Sequence, residues 1–173
     1  KTLAGTALMK MYEEKEIEID SSVGFYIKDL PVDKKKITLR QIAGHLSGIR
    51  HYRDGYDMNQ NLNYENTSDA LNIFINDSLL FEPGRKYSYS THAWTLLSLA
   101  MEKAYGENFI ELMKNEILNP LQLDKTFAEE IDLELKEKVS FYEKNDFGDI
   151  VLCPNVNNSW KWAGGGYVST TQD

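Results

Sequence analysis

Apolar residues recur at helical spacing from the first turn of the chain. Leu3, Ala7, Leu8 and Met11 share one face and predict an amphipathic helix over 1–15. Ile17 and Ile19 then alternate with Glu16, Glu18 and Asp20, the period of a short extended stretch with one buried side. Ser21 and Ser22 can cap a short helix that stops before Pro31. Thr38 opens a helix over 39–46, closed by Ser47 and Gly48. Residues 50–66 are polar with interspersed tyrosines and predict a long loop or a set of short turns. Thr67 or Ser68 caps a helix whose apolar face is Leu71, Phe74, Ile75 and Leu79, ended by the turn Phe81-Glu82-Pro83-Gly84. The strongest helix follows over 91–105: Trp94, Leu97, Met101 and Ala104 form its stripe, Leu96 and Ala100 widen it, and Gly106 is its C-cap. A helix over 108–118 stops at Asn119-Pro120.

The last third changes period. Segments 139–144 and 150–153 flank Asn145-Asp146-Phe147-Gly148-Asp149 and predict a β-hairpin. Gly164-Gly165-Gly166 reads as a hinge or a place of close backbone approach. Ser169-Thr170-Thr171-Gln172-Asp173 has the capping residues and first-turn acid of a helix start. The pattern is mainly α with a late β-hairpin: a helical region over about 1–127, then a hairpin and Gly-rich segment over about 139–173. Helices with stripes this wide need a partner layer. The first pattern begins within the opening turn of the chain, and the expectation is that sequence on either side of the chain supplies that layer.

Composition narrows the class. At 173 residues with 42% hydrophobic and 27% charged positions, one domain with a sizeable core is expected. No run of about 18 apolar residues occurs, so this segment holds no helical membrane span. A formal charge of −8 argues against nucleic acid, which is held through clustered Lys and Arg. Cys153 is the one cysteine, which excludes a disulfide within the chain and leaves the compartment open.

Candidate chemistry is sparse. His45, His51 and His92 place no two ligands on one helical face and have no Cys or acid cluster beside them, so no metal and no cofactor is expected. The three glycines lack a following Lys-Ser or Lys-Thr and are not a phosphate loop. Glu13-Glu14 and Glu129-Glu130 read as solvated faces. The informative stretch runs from Phe81 to Trp94, where a tight turn delivers Tyr87, Tyr89 and several hydroxyls to the start of the apolar helix.

In that stretch Phe-x-Pro-Gly, then Tyr89-Ser90-Thr91, then an aromatic residue and Leu96-Leu97, resembles the second motif region of serine β-lactamase-like proteins, which usually show Tyr-x-Asn. Gly44-His45-Leu46-Ser47-Gly48-Ile49 resembles the family's His-Thr-Ser-Gly-Ile segment, closest to the branch that includes the mitochondrial serine β-lactamase-like protein and its bacterial relatives. Asn119-Pro120-Leu121-Gln122-Leu123-Asp124-Lys125-Thr126 is similar to its Pro-Leu-Gly-Met-x-x-Thr, and Ala163-Gly164-Gly165-Gly166-Tyr167-Val168-Ser169-Thr170 to its Ala-Gly-Gly-x-x-Ser-Thr. These segments in the family's order are far more specific than any one alone.

The resemblance implies the helical portion of a β-lactamase-like α/β fold whose central antiparallel sheet is largely outside this chain. It implies acyl transfer through a covalent acyl-serine on an ester, peptide or β-lactam, with esterase or peptidase favoured over drug resistance. Lys1 falls on the lysine of Ser-x-x-Lys, which puts the serine three positions ahead of it and implies that the fragment alone is inactive. Tyr89 would share activation of that serine with Lys1, and Thr91 would contact substrate or steady Lys1. The competing frame Tyr87-Ser88-Tyr89 makes Tyr87 the base. Partners would be a small-molecule or peptide substrate, with self-association possible; a bacterial parent would work in the periplasm or at the cell surface. The alternatives are a non-catalytic scaffold or polymerising relative that binds protein through its helical surface, and a helical binding module complete in itself.

Overall fold

The computed structural model describes residues 1–53, 57, 61–131 and 138–173. Among them helices dominate: α1 (Thr2–Glu13), α2 (Val23–Tyr26), α3 (Leu39–Ala43), α4 (Thr67–Ala70), α5 (Thr91–Tyr105), α6 (Phe109–Met113) and α7 (Trp162–Gly165). The strands are short: β1 (Phe127–Ala128) pairs antiparallel with β4 (Tyr167–Val168), and β2 (Tyr142–Lys144) with β3 (Ile150–Leu152).

α5 is the axis of the molecule. Every residue from Thr91 to Met101 is buried, covered by α2, α3, α4, α6 and α7, with α1 meeting the helix where Gly5 faces Trp94. Its ends are specified locally: the Ser90 side chain accepts the Ala93 N–H at the start, and Gly106 closes it at φ +91°. Ala7, Leu8 and Met11 of α1 join the same core, as their spacing predicts, together with Ala4, while Leu3 is partly buried against it. Ile17 and Ile19 are buried between exposed acids, so the alternation holds although the segment joins no sheet.

Several boundaries differ from the sequence reading. α3 carries the predicted Thr38 cap, completed as a capping box by Gln41, but ends at Gly44 because His45 takes φ +59° and turns the chain. The next helix is capped at Asn66 without a side-chain bond and gives way to a 3₁₀ turn over Leu71–Ile73; Leu71, Phe74 and Ile75 are buried as expected. Beyond α6 the chain widens into a π turn over Lys114–Leu118. The hairpin forms where predicted, closed by Gly148 at φ +87°. The Asp173 carboxylate accepts the Lys125 N–H and the Thr126 hydroxyl, each at 2.8 Å. Tyr56, read as part of the loop 50–66, lies outside the described residues.

Candidate active site

Three chain segments converge at the start of α5. The turn after Phe81 is fastened to the segment after α3 by Leu80 N–H to Gly48 O and Gly84 N–H to Leu46 O, both 2.8 Å. Gly48 sits at φ +74°, and a Cβ there would lie 2.4 Å from the Phe81 carbonyl oxygen, so the close approach needs glycine. The third segment is α7, which presses Gly164 against Thr91: a Cβ on Gly164 would fall 2.4 Å from Thr91 Cγ2. Of the two readings of the glycine run, close approach is the one realised at Gly164.

Convergence brings the sequence-predicted residues together. Lys1 Nζ donates to Tyr89 Oη at 2.8 Å, to Thr91 Oγ1 at 3.3 Å and to the Gly164 carbonyl at 2.5 Å. An ammonium has three N–H bonds, and here each has an acceptor. Its charge also lies 4.7 Å from the Tyr89 ring centroid. The hydrogen bond from Lys1 is the main reason the Tyr89 phenol is held below its ordinary value of 10.0. Tyr87, the competing base, is 66% exposed and packs its ring edge on His45, 5.9 Å between centroids, while Tyr89 takes the contact with Lys1. A cavity of about 220 Å³ opens beside Lys1, between Leu3 and Ala4 of α1 and Trp162 and Gly165 of α7.

Two further residues shape the site that the sequence reading did not assign. His45 Nδ1 accepts the Ser90 N–H at 3.1 Å, and His51 Nδ1 accepts the Thr91 N–H at 3.3 Å. Amides at a helix start have no intrahelical acceptor, and two imidazoles supply one to each of these. Both Nδ1 atoms must therefore be unprotonated, which leaves the proton of the neutral ring on Nε2. The rings also bracket Tyr89, with centroids 4.6 Å away for His45 and 5.1 Å for His51. Burial, then the nearby Lys1 charge, pushes both imidazoles below 6.5.

Beneath them lies Arg50, 7% exposed. Its guanidinium reaches Asp77 at 2.6 Å, the His51 and Ile73 carbonyls at 2.9 Å, the Asp57 carboxylate, and His92 Nε2 at 3.2 Å. Its own carbonyl takes the Ser90 hydroxyl at 2.7 Å, so the buried ion network and the α5 cap are one unit. His92, the remaining histidine, is fully buried and stacked on Phe74, and burial beside Arg50 lowers its pKa to about 4.

The sequence matches the beta-lactamase family over residues 1–173. This chain belongs to the beta-lactamase family. Among curated proteins it is 27% identical over 241 residues to the human "Serine beta-lactamase-like protein LACTB, mitochondrial", with 100% of this chain and 44% of that protein covered. The chain therefore spans less than half the length of that relative. Among solved structures, a D-stereospecific amidohydrolase from Streptomyces sp. superposes with TM-score 0.84 at 22% identity, covering 99% of this chain and 55% of that one. The D-amino acid amidase from Ochrobactrum anthropi SV3 superposes with TM-score 0.82 at 18% identity, covering 98% and 50%. These two likenesses show the fold. Family membership removes the reading of a self-contained helical module whose motif matches are coincidence. The residues that converge on Lys1 come from the Tyr89-Ser90-Thr91 and Ala163–Gly166 segments.

Proposed function

We propose that this chain forms the Lys–Tyr half of a serine hydrolase active site that transfers an acyl group through a covalent acyl-serine. The observation that carries the reading is the 2.8 Å contact between Lys1 Nζ and Tyr89 Oη, on residues 88 positions apart in the chain. The nucleophile would be a serine three positions ahead of Lys1, one helical turn away on the same face, where its hydroxyl can meet both groups.

In this arrangement Lys1, with each ammonium N–H engaged, stabilises negative charge on the Tyr89 oxygen, and Tyr89 takes the serine proton. As the serine–carbonyl bond forms and the leaving-group bond breaks, the phenol returns that proton to the departing oxygen or nitrogen. Water then cleaves the acyl-serine by the same route. Thr91 offers Lys1 or substrate a hydroxyl but no amide, so a contact needing an amide donor is absent. An amide or ester substrate is favoured; the structural neighbours include an amidohydrolase and an amidase, and also EstCE1, a hydrolase with promiscuous acyltransferase activity. The antiparallel sheet would come from sequence flanking this chain, which forms the helical portion of the domain.

Tyr89→Phe in the full-length protein tests the assignment by single-turnover acylation with an activated ester. The expected result is a fall of about 10²-fold or more with the melting temperature unchanged. Unaltered acylation would exclude Tyr89 as the proton acceptor.

A further inference from the structure

A second cavity, about 690 Å³, lies between the end of β1 and the β2–β3 hairpin. Its apolar wall is Val139, Phe141 and Leu152, and it meets the cavity beside Lys1 at Gly165. Two carboxylates, Glu129 and Glu130, and two lysines, Lys138 and Lys161, line it, and Lys161 has no direct contact with either carboxylate. Glu129 is already engaged by an ion pair with Lys138 and by the Asn158 amide at 2.5 Å. Among the described residues Lys161 Nζ makes no hydrogen bond or ion pair; it rests on the Trp160 ring at 5.2 Å, and Trp160 itself is 1% exposed. The Lys161 carbonyl accepts the Gly164 and Gly165 N–H groups at 2.8 and 2.9 Å, which fixes its backbone to the loop that holds Lys1.

We propose that this cavity is a substrate subsite for an apolar substituent ending in a carboxylate, with Lys161 as the residue that recognises the charge. The inference rests on the hydrolase reading for the word substrate, and on the cavity and its cation for the binding. A half-buried ammonium with an apolar wall before it gains most from a ligand that brings both a greasy stem and an anion. Burial lowers the Lys161 pKa, and the neighbouring Lys1 charge adds to this against the opposing pull of Glu129. An arriving carboxylate relieves that penalty, whereas a neutral group of the same shape does not.

The test is equilibrium binding of 4-phenylbutyrate and of its primary amide to the full-length protein and to Lys161→Met and Lys161→Arg. The wild type is expected to favour the carboxylate about tenfold, in line with a charge-assisted hydrogen bond. Lys161→Met, which keeps the stem, should abolish the preference while leaving amide binding unchanged, and Lys161→Arg should restore it. Equal binding of the two compounds by the wild type, or a preference that survives in Lys161→Met, overturns the proposal. Acylation by a phosphonate probe, followed in the same samples, reports on the hydrolase reading separately. Carboxylate preference without acylation would leave the subsite standing and remove the enzyme; acylation without preference would do the reverse.

Discussion

Tyr89 is placed by its neighbours more than by its own burial: it is 45% exposed, yet Lys1, His45 and His51 surround its ring and oxygen. Two of these neighbours titrate. His45 and His51 are depressed below 6.5, so each favours folding in its neutral form. That contribution is complete above pH 6.5 and is lost as pH falls through the lowered values, because a protonated Nδ1 can no longer accept the Ser90 or Thr91 N–H. His92, lowered to about 4, adds on the order of 3 kcal/mol by the same sign between pH 6.5 and 4. Histidine titration by NMR should therefore give midpoints below 6.5 for all three, and denaturant unfolding at pH 4.5 should show a less stable protein than at pH 7. Midpoints at or above 6.5 would contradict the buried-acceptor account. These acceptor roles were not legible in the sequence, where the three histidines share no periodicity and, apart from the place of His45 in the Gly44–Ile49 resemblance, suggested only a metal site to be dismissed. Their role depends on residues about 40 positions away being folded beneath them.

At the scale of elements, the start of α5 is held from two sides, and each can be broken by one substitution. Gly164→Ala would put a methyl group 2.4 Å from Thr91 Cγ2. It should push α7 away, lengthen the Lys1 contact with the Gly164 carbonyl, and cost about 1–3 kcal/mol, the usual range for overpacking. A thermal melt and the acylation rate should both fall; a variant with wild-type values would mean that α7 is looser than its contacts indicate. On the other side, Arg50→Met would take the guanidinium from the buried Asp57 carboxylate and from the Ile73 and His51 carbonyls, and cost about 3–5 kcal/mol, read from urea unfolding. A loss below 1 kcal/mol would show that water takes the place of the guanidinium. What the sequence revealed about elements follows the same division between local and distant causes. α5, its Gly106 cap and the β2–β3 hairpin were legible because periodicity and turn chemistry specify them locally, while the Ser90 cap was not singled out from the hydroxyls ahead of the helix. The β1–β4 pair was not, since two-residue strands 40 positions apart carry no pattern of their own. α3 was overextended because nothing in Leu39–Leu46 announces the positive φ at His45.

For the whole molecule, the resemblance in the sequence carried the family and the candidate site, while spacing alone carried only the helical scaffold. Lys1, Tyr89 and Thr91 come from opposite halves of the scaffold, and their meeting needs α1, α5 and α7 to pack as they do. Among the described residues the strands form only two two-stranded pairs, and the hairpin leaves Phe141, Ile150 and Leu152 exposed. No helix among them is long and apolar enough to cross a membrane. In the proposed hydrolase a nucleophilic serine stands beside Lys1 and Tyr89. The direct measurement is to treat the folded full-length protein with a fluorophosphonate or a fluorescent penicillin and map the labelled peptide by mass. The account predicts label on a serine three positions ahead of Lys1, greatly reduced in Tyr89→Phe. A folded protein that takes no label from either probe, or takes it elsewhere, would contradict it and favour a non-catalytic scaffold.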